Sequence, residues 1–168
     1  MKEKSIELLN KAVADELQAV HQYMYFHFHC DNKGYEPLSL LFRKIAIEEM
    51  MHIERISERI IFLKGDVEMK PSGEVKKIHN VKEMLECARK MEEDAILTYN
   101  KFAQECTQNL DSVSKKLFED LVVDEERHFD EFDTQYDNIH EFGEQFLALQ
   151  SIERSKKVAG SGTPNPTA

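Results

Sequence analysis

The chain has 168 residues, of which 41% are hydrophobic and 32% charged, with 6 Gly and 4 Pro. That is one domain's worth of sequence, apolar enough for a core and too poor in helix breakers for a collagenous, low-complexity or disordered chain. Acidic residues outnumber basic ones 32 to 22, for a formal net charge of -10; such a chain has no general attraction for nucleic acid or anionic lipid, whereas an acidic surface gathers cations. No stretch approaches the length of a membrane span, and the first twelve residues alternate charged and apolar side chains without a signal-like apolar run, so the expected location is the cytoplasm. Cys30, Cys87 and Cys106 are too few and scattered for a disulfide framework, and the absence of any CxxC excludes a rubredoxin-type or zinc-ribbon site.

Taken in chain order, the elements make an all-α chain. The first helix is expected over residues 5–30, and Gly34 suits a left-handed cap after it. Pro37 suits the first turn of a second helix that reaches Lys64 and ends at Gly65. Asn80, with Glu83 three residues on, reads as a capping box for a third helix running to about Asn109. Asp111 or Ser112 caps a fourth, which ends near Phe142 and Gly143. A short amphipathic fifth segment, residues 144–157, carries Phe146, Leu149 and Ile152 on one face. The domain is therefore placed at residues 1–157, with 158–168, rich in Gly, Ser, Pro and Thr, as a disordered tail.

Helices of ~25–30 residues are roughly 40 Å long. The fifteen residues 66–80 span up to ~50 Å, enough to run the length of a bundle. The second and third helices are thus expected to be parallel and joined by a long crossover, and the other connections to link antiparallel neighbours in a four-helix bundle.

Core positions on helices recur at steps of three and four. The first stripe is Leu9, Val13, Glu16, Val20, Tyr23 and His27. The second is Leu38, Leu41, Ile45, Glu49, His52, Ile56, Ile60 and Leu63. The third is Leu85, Ala88, Glu92, Ala95, Tyr99, Phe102 and Cys106, and the fourth Leu117, Leu121, Glu125, His128, Phe132 and Ile139. Every stripe has one glutamate where an apolar residue belongs, and two have a histidine three residues later. Glu48, Glu93 and Glu126 lie ~100° round their helices and fall off the stripes. Counted from the helix ends, the four stripe glutamates stand at similar heights near mid-bundle.

Buried ionised carboxylates are strongly penalised unless paired or bound to metal, and four together repel one another and take up protons. No Lys or Arg shares these stripes. Two divalent cations would balance four negative charges. Carboxylate oxygen with imidazole nitrogen suits iron or manganese better than magnesium or calcium. A Glu on each of two helices and Glu-x-x-His on each of the other two matches the di-iron and di-manganese carboxylate bundles.

With these residues in place, the chain resembles bacterioferritin, within the ferritin-like di-iron superfamily, over residues 4–157. The resemblance is carried by LNKAVADELQAVHQY around Glu16, IEEMMHIERI around Glu49 and His52, and LVVDEERHFDEF around Glu125 and His128. It implies a site for two iron ions per subunit, bridged by Glu49 and Glu125, with Glu16 and His52 completing one position and Glu92 and His128 the other. Tyr23 matches a tyrosine near the di-iron centre of that family. Met50 matches a methionine that binds haem between subunits, so haem is a second cofactor the resemblance allows. A homo-oligomeric cage is implied as well, of 24 subunits or, on the Dps-like thioferritin branch, of 12. That branch has two cysteines near the metals. Here Cys87 lies ~8 Å along its helix from Glu92, and Cys30 and Cys106 ~21 Å from their helices' glutamates, so no pair stands adjacent.

The activity this implies is iron storage and detoxification. A ferroxidase centre inside each subunit oxidises Fe(II) with dioxygen or hydrogen peroxide, and the ferric mineral is held in a hollow shell. Tyr23, and Tyr99 outside the family match, are candidates to supply a further electron. Three other readings share parts of the pattern: a peroxidase or manganese-catalase-like enzyme without storage, a DNA-protecting Dps-like shell, and a metal-free helical interaction module. Against the DNA-binding reading, the tail VAGSGTPNPTA has no basic residue.

Overall fold

The computed structural model describes residues 2–160. Among them it has five helices and no strand: α1 (Lys2–Asn32), α2 (Glu36–Phe62), α3 (Val81–Gln108), α4 (Ser112–Phe142) and α5 (Glu144–Gly160). The local stop and start signals act as the sequence predicts. Asn80 Oδ1 accepts the Glu83 N–H at 3.1 Å, and Gly34 takes a left-handed φ of 79°. Asp111 Oδ1 accepts the Ser114 N–H at 3.1 Å, which makes Asp111, not Ser112, the cap of α4. The end of α2 differs from expectation. The helix stops at Phe62, short of Lys64, and Lys64 takes a left-handed φ of 68°. Gly65 is required for space instead, since a Cβ there would stand 2.8 Å from Ile6 Cγ2. Helix α5 runs to Gly160, so residues 158–160 of the expected tail are helical; residues 161–168 lie outside the described residues.

Helix α1 packs chiefly on α2, and α3 on α4. Each pair is joined by a short turn and forms an antiparallel hairpin. The crossover then carries the chain back along the bundle so that α2 and α3 run parallel. Its irregular backbone is satisfied by a ladder on the polar face of α1. Asn10 Nδ2 donates to the Asp66 carbonyl, and Asn10 Oδ1 accepts the Glu68 N–H, both at 2.9 Å. The Ser72 N–H donates to the Ala14 carbonyl at 2.9 Å, and Gln18 Nε2 to the Glu74 carbonyl at 2.9 Å. Gln22 pairs with both backbone groups of Lys76, at 2.9 and 2.8 Å. Rungs about one turn apart, the Asn10, Gln18 and Gln22 amides with the Ala14 carbonyl, thus supply partners for the loop backbone.

The apolar core forms two clusters. One packs the Tyr23, Phe26, Phe42 and Phe132 rings at centroid separations of 5.2 to 6.4 Å, and Phe146 of α5 joins them. Helix α5 is also tied to the start of α2, where Gln150 Oε1 accepts the otherwise unpaired Leu38 N–H at 3.1 Å. The other cluster gathers Leu9, Val13, Ile56, Ile60, Tyr99, Phe118 and Leu121. Phe26, Phe42 and Phe118 are fully buried, whereas the stripe residues His27, Leu41 and Leu117 beside them are half-buried. A bundle helix buries a face wider than a single seam, so the larger adjacent ring takes the central place. Burying each such ring contributes about 1.5–3 kcal/mol over leaving it exposed.

Candidate metal centre

Between the two apolar clusters lies a polar layer. Glu16, Glu49, His52, Glu92, Glu125 and His128 all converge there, and none is more than 3% exposed. His52 Nδ1 stands 2.9 Å from Glu49 Oε2, 3.2 Å from Glu125 Oε1 and 3.5 Å from Glu16 Oε2. His128 Nδ1 stands 2.9 Å from Glu125 Oε2, 3.1 Å from Glu49 Oε1 and 3.9 Å from Glu92 Oε2. Two sets of donors result: Glu16, Glu49, His52 and Glu125, and Glu49, Glu92, Glu125 and His128. In each set one donor atom per residue lies within 4.8 Å of the others. Glu49 and Glu125 belong to both sets, as bridging ligands must.

The layer has an approximate two-fold relation between the two hairpins. Tyr23 O–H of α1 donates to Glu92 Oε1 of α3 at 2.5 Å, and Tyr99 O–H of α3 donates to Glu16 Oε1 of α1 at 2.6 Å. Each tyrosine follows its own helix's glutamate by seven residues and serves the glutamate opposite. Tyr99 therefore stands to Glu16 as Tyr23 does to Glu92. On the α2/α4 side the histidines' outer nitrogens meet acids that periodicity set aside or passed over. His128 Nε2 is 2.7 Å from Glu48 Oε2, and His52 Nε2 is 3.3 Å from Asp124 Oδ2. Arg127 and Arg55 pair with those acids at 2.9 and 3.1 Å. A signal for them was present: an acid immediately precedes the bridging glutamate in both α2 and α4, so the repeated unit is acid-Glu-x-x-His.

Burial, reinforced by the charges of Glu125 and Glu49, holds the Glu16 carboxyl well above the usual range, and the same three causes act on Glu92. Glu125 is also desolvated, yet the hydrogen bond from His128 and the adjacent His52 imidazole pull it down to about 2. Although burial opposes the charge on His128, bonds to Glu125 and Glu49 raise it to about 11. The Glu125, Glu16 and Glu49 carboxylates close to His52 likewise outweigh burial and raise it. Burial and the adjacent carboxylates push both tyrosine phenols up, so Tyr23 and Tyr99 remain donors. Two imidazolium ions and shared protons thus stand where cations would.

Three atoms test whether metal fits. Glu49 Oε2, Glu125 Oε1 and His52 Nδ1 are buried without a hydrogen-bond partner. They sit within contact distance of one another but not in hydrogen-bonding geometry. Buried polar atoms are normally satisfied. A cation shared among these three would satisfy all of them, and the oxygen and imidazole donor set suits a transition metal such as iron or manganese. A cleft of about 260 Å³ between α1 and α3 reaches Glu16, Glu49, Glu92 and Glu125, and Asp15, Ser72 and Asp94 also line it.

The other sequence candidates lie elsewhere. Met50 is 52% exposed on α2, with Leu40, Ile47 and Met51 also exposed on that helix. Cys30, Cys87 and Cys106 are free thiols; Cys30 and Cys106 belong to opposite apolar clusters, and Cys87 packs against the first. No helix among the described residues is long and apolar enough to cross a membrane.

Comparison with known proteins places this geometry in a family. The ferritin-like domain profile matches residues 6–142. A bacterioferritin of Desulfovibrio desulfuricans is 34% identical over 99% of this chain and 89% of its own length. One of Brucella melitensis is 39% identical over 84% of this chain and 88% of its own. An X-ray structure of the Desulfovibrio desulfuricans bacterioferritin, which addresses its diiron site in different catalytic states, superposes with a TM-score of 0.87 at 32% identity, covering 99% of this chain and 95% of that one. The Rhodobacter capsulatus bacterioferritin, solved with a metal-free dinuclear site and haem iron in a crystallographic special position, gives a TM-score of 0.84 at 32% identity, covering 99% and 98%. By sequence and by fold, the chain belongs to the bacterioferritin family of ferritin-like proteins.

Proposed function

We propose that this chain is an iron-storage ferroxidase. It oxidises Fe(II) with dioxygen or hydrogen peroxide at the mid-bundle centre and keeps the ferric product as mineral in a hollow cytoplasmic shell built from 12 or 24 of its own copies. The observation that carries this reading is the pair of buried donor sets sharing Glu49 and Glu125. In this reading Glu49 and Glu125 bridge two Fe(II) substrate ions, Glu16 and His52 complete one position, and Glu92 and His128 the other. Two ions held together deliver two electrons to one oxidant, which avoids a one-electron product. Tyr23 and Tyr99 orient Glu92 and Glu16 through their hydrogen bonds and stand ready as electron donors. Fe(II) replaces the protons held on Glu16, Glu92, His52 and His128. Asp15 and Asp94 along the cleft add negative charge that draws cations towards the centre.

The apolar side chains exposed on α2, namely Leu40, Ile47, Met50 and Met51, support burial against a second copy. Haem bound at such an interface would take the Met50 thioether as a ligand and supply an electron-transfer route. Stopped-flow mixing of the metal-free protein with two Fe(II) per chain and dioxygen or peroxide tests the reading. Glu49→Ala and His128→Ala are expected to lose the fast oxidation phase, and wild-type rates in both would overturn the assignment. Loading well beyond two irons per chain separates storage from a peroxidase. Metal analysis of the purified protein separates iron from manganese.

A further inference from the structure

We propose that Glu48 and Asp124 are positioning residues for the centre: each accepts the Nε2–H of the histidine on the opposite helix and so reserves its Nδ1 for metal. The inference rests on the metal-centre reading and adds residues that lie off the core stripes. His128 Nε2 is 2.7 Å from Glu48 Oε2, and His52 Nε2 is 3.3 Å from Asp124 Oδ2. The imidazole side chains are 0% and 4% exposed, so no bulk water competes for those nitrogens. Their Nδ1 atoms face the glutamate cluster at 2.9 Å. An imidazole with its outer N–H held by a carboxylate has one tautomer and one ring orientation, and a more basic inner nitrogen.

Glu48 and Asp124 themselves are about one-third exposed and anchored from outside. Arg127 Nη2 lies 2.9 Å from Glu48 Oε2 and 3.7 Å from Asp124 Oδ1, so one guanidinium ties the two acids together. Arg55 holds Asp124 at 3.1 Å. Ordinary surface ion pairs contribute little. These differ because each acid bridges an arginine at the surface to a buried ligand. The crossed arrangement repeats: the acid before Glu49 serves the histidine after Glu125, and the acid before Glu125 serves the histidine after Glu49. The shorter bond makes Glu48 the stronger of the two supports.

Cobalt titration of the metal-free full-length protein tests this, read by calorimetry and by the d–d absorption of bound Co(II). The wild type is expected to take two Co(II) per chain. Glu48→Ala and Asp124→Ala should each weaken one position, and not the same one, by about 10–100-fold. The band altered by Glu48→Ala should be the one that His128→Ala deletes. Glu48→Gln and Asp124→Asn, which keep shape and an acceptor oxygen, should fall between and remain informative where alanine variants fail to fold. Glu93→Ala removes an equal charge beside Glu92 without touching a histidine and should leave both positions intact. Wild-type affinity and bands in the Glu48 and Asp124 variants, or equal weakening of both positions by Glu48→Ala and Glu93→Ala, overturn the proposal. A wild type that binds no Co(II) overturns the metal-centre reading, and this inference with it.

Discussion

Glu92 offers a direct measure of what the centre costs without metal. It is 2% exposed, and burial with the charges of Glu49 and Glu125 holds its carboxyl well above the model-peptide value of 4.5. Above pH 4.5 the unfolded chain gives up this proton more readily than the metal-free folded chain does. Each pH unit by which the folded value exceeds 4.5 costs ~1.4 kcal/mol once the pH has passed it. The sign follows from the raised folded value: the penalty is absent below pH 4.5 and grows as pH rises. Glu92→Gln removes the ionisable group and keeps an oxygen for Tyr23 O–H. In chelator at pH 7 the variant should therefore melt higher than wild type, by roughly 3–6 °C for each pH unit of that shift in a chain of this size, and the gap should close by pH 4.5. Added divalent metal should reverse the order, because wild type gains about 2.7 kcal/mol per site at a hundredfold excess over Kd and the variant lacks one charged ligand. Calorimetric melting from pH 4.5 to 7.5, with and without metal, reads all of this. Coincident metal-free melts at pH 7, or a gap that persists unchanged in acid, would refute the reasoning.

Two further predictions concern the same layer. Loading two divalent cations should release protons at pH 7, from His52 and His128 and from the raised Glu16 and Glu92 carboxyls; indicator-dye titration giving none would mean that the centre is not protonated as described. Tyr99→Phe and Tyr23→Phe each strip one donor from a buried carboxyl, at 2.6 and 2.5 Å. Each should cost the metal-free protein about 1–3 kcal/mol in urea denaturation, and a neutral Tyr99→Phe beside a costly Tyr23→Phe would contradict the two-fold relation.

The bundle and the six residues of its polar layer were legible because periodicity is a property of one helix at a time. Glu16, Glu49, Glu92 and Glu125 betray themselves by occupying places that Leu and Ile hold elsewhere on the same stripe. Glu48 and Asp124 escaped for the complementary reason. They lie off the stripe and partly in solvent, and their partners sit on another helix, so only the distance between α2 and α4 shows what they touch. The ladder of Asn10, Gln18 and Gln22 was hidden in the same way: amides on a polar face look like any solvated surface until a loop is seen to lie on them. Gly65 marks the end of α2 in the sequence without showing why glycine stands there. The position after a helix favours glycine for its backbone freedom, but here Ile6 leaves no room for a Cβ, and Lys64 makes the turn.

The division of the core by its ionic waist has a mechanical consequence. Phe42 packs in one apolar half and Phe118 in the other, and the two clusters share no apolar residue. Truncating both rings should therefore be additive. Either end of the rod can be repacked, loosened or swollen by substitution while the opposite end keeps its register, and the carboxylate girdle between them acts as a firebreak. Such a rod has two independently evolvable ends, and each reaches the polar middle through one tyrosine, Tyr23 or Tyr99.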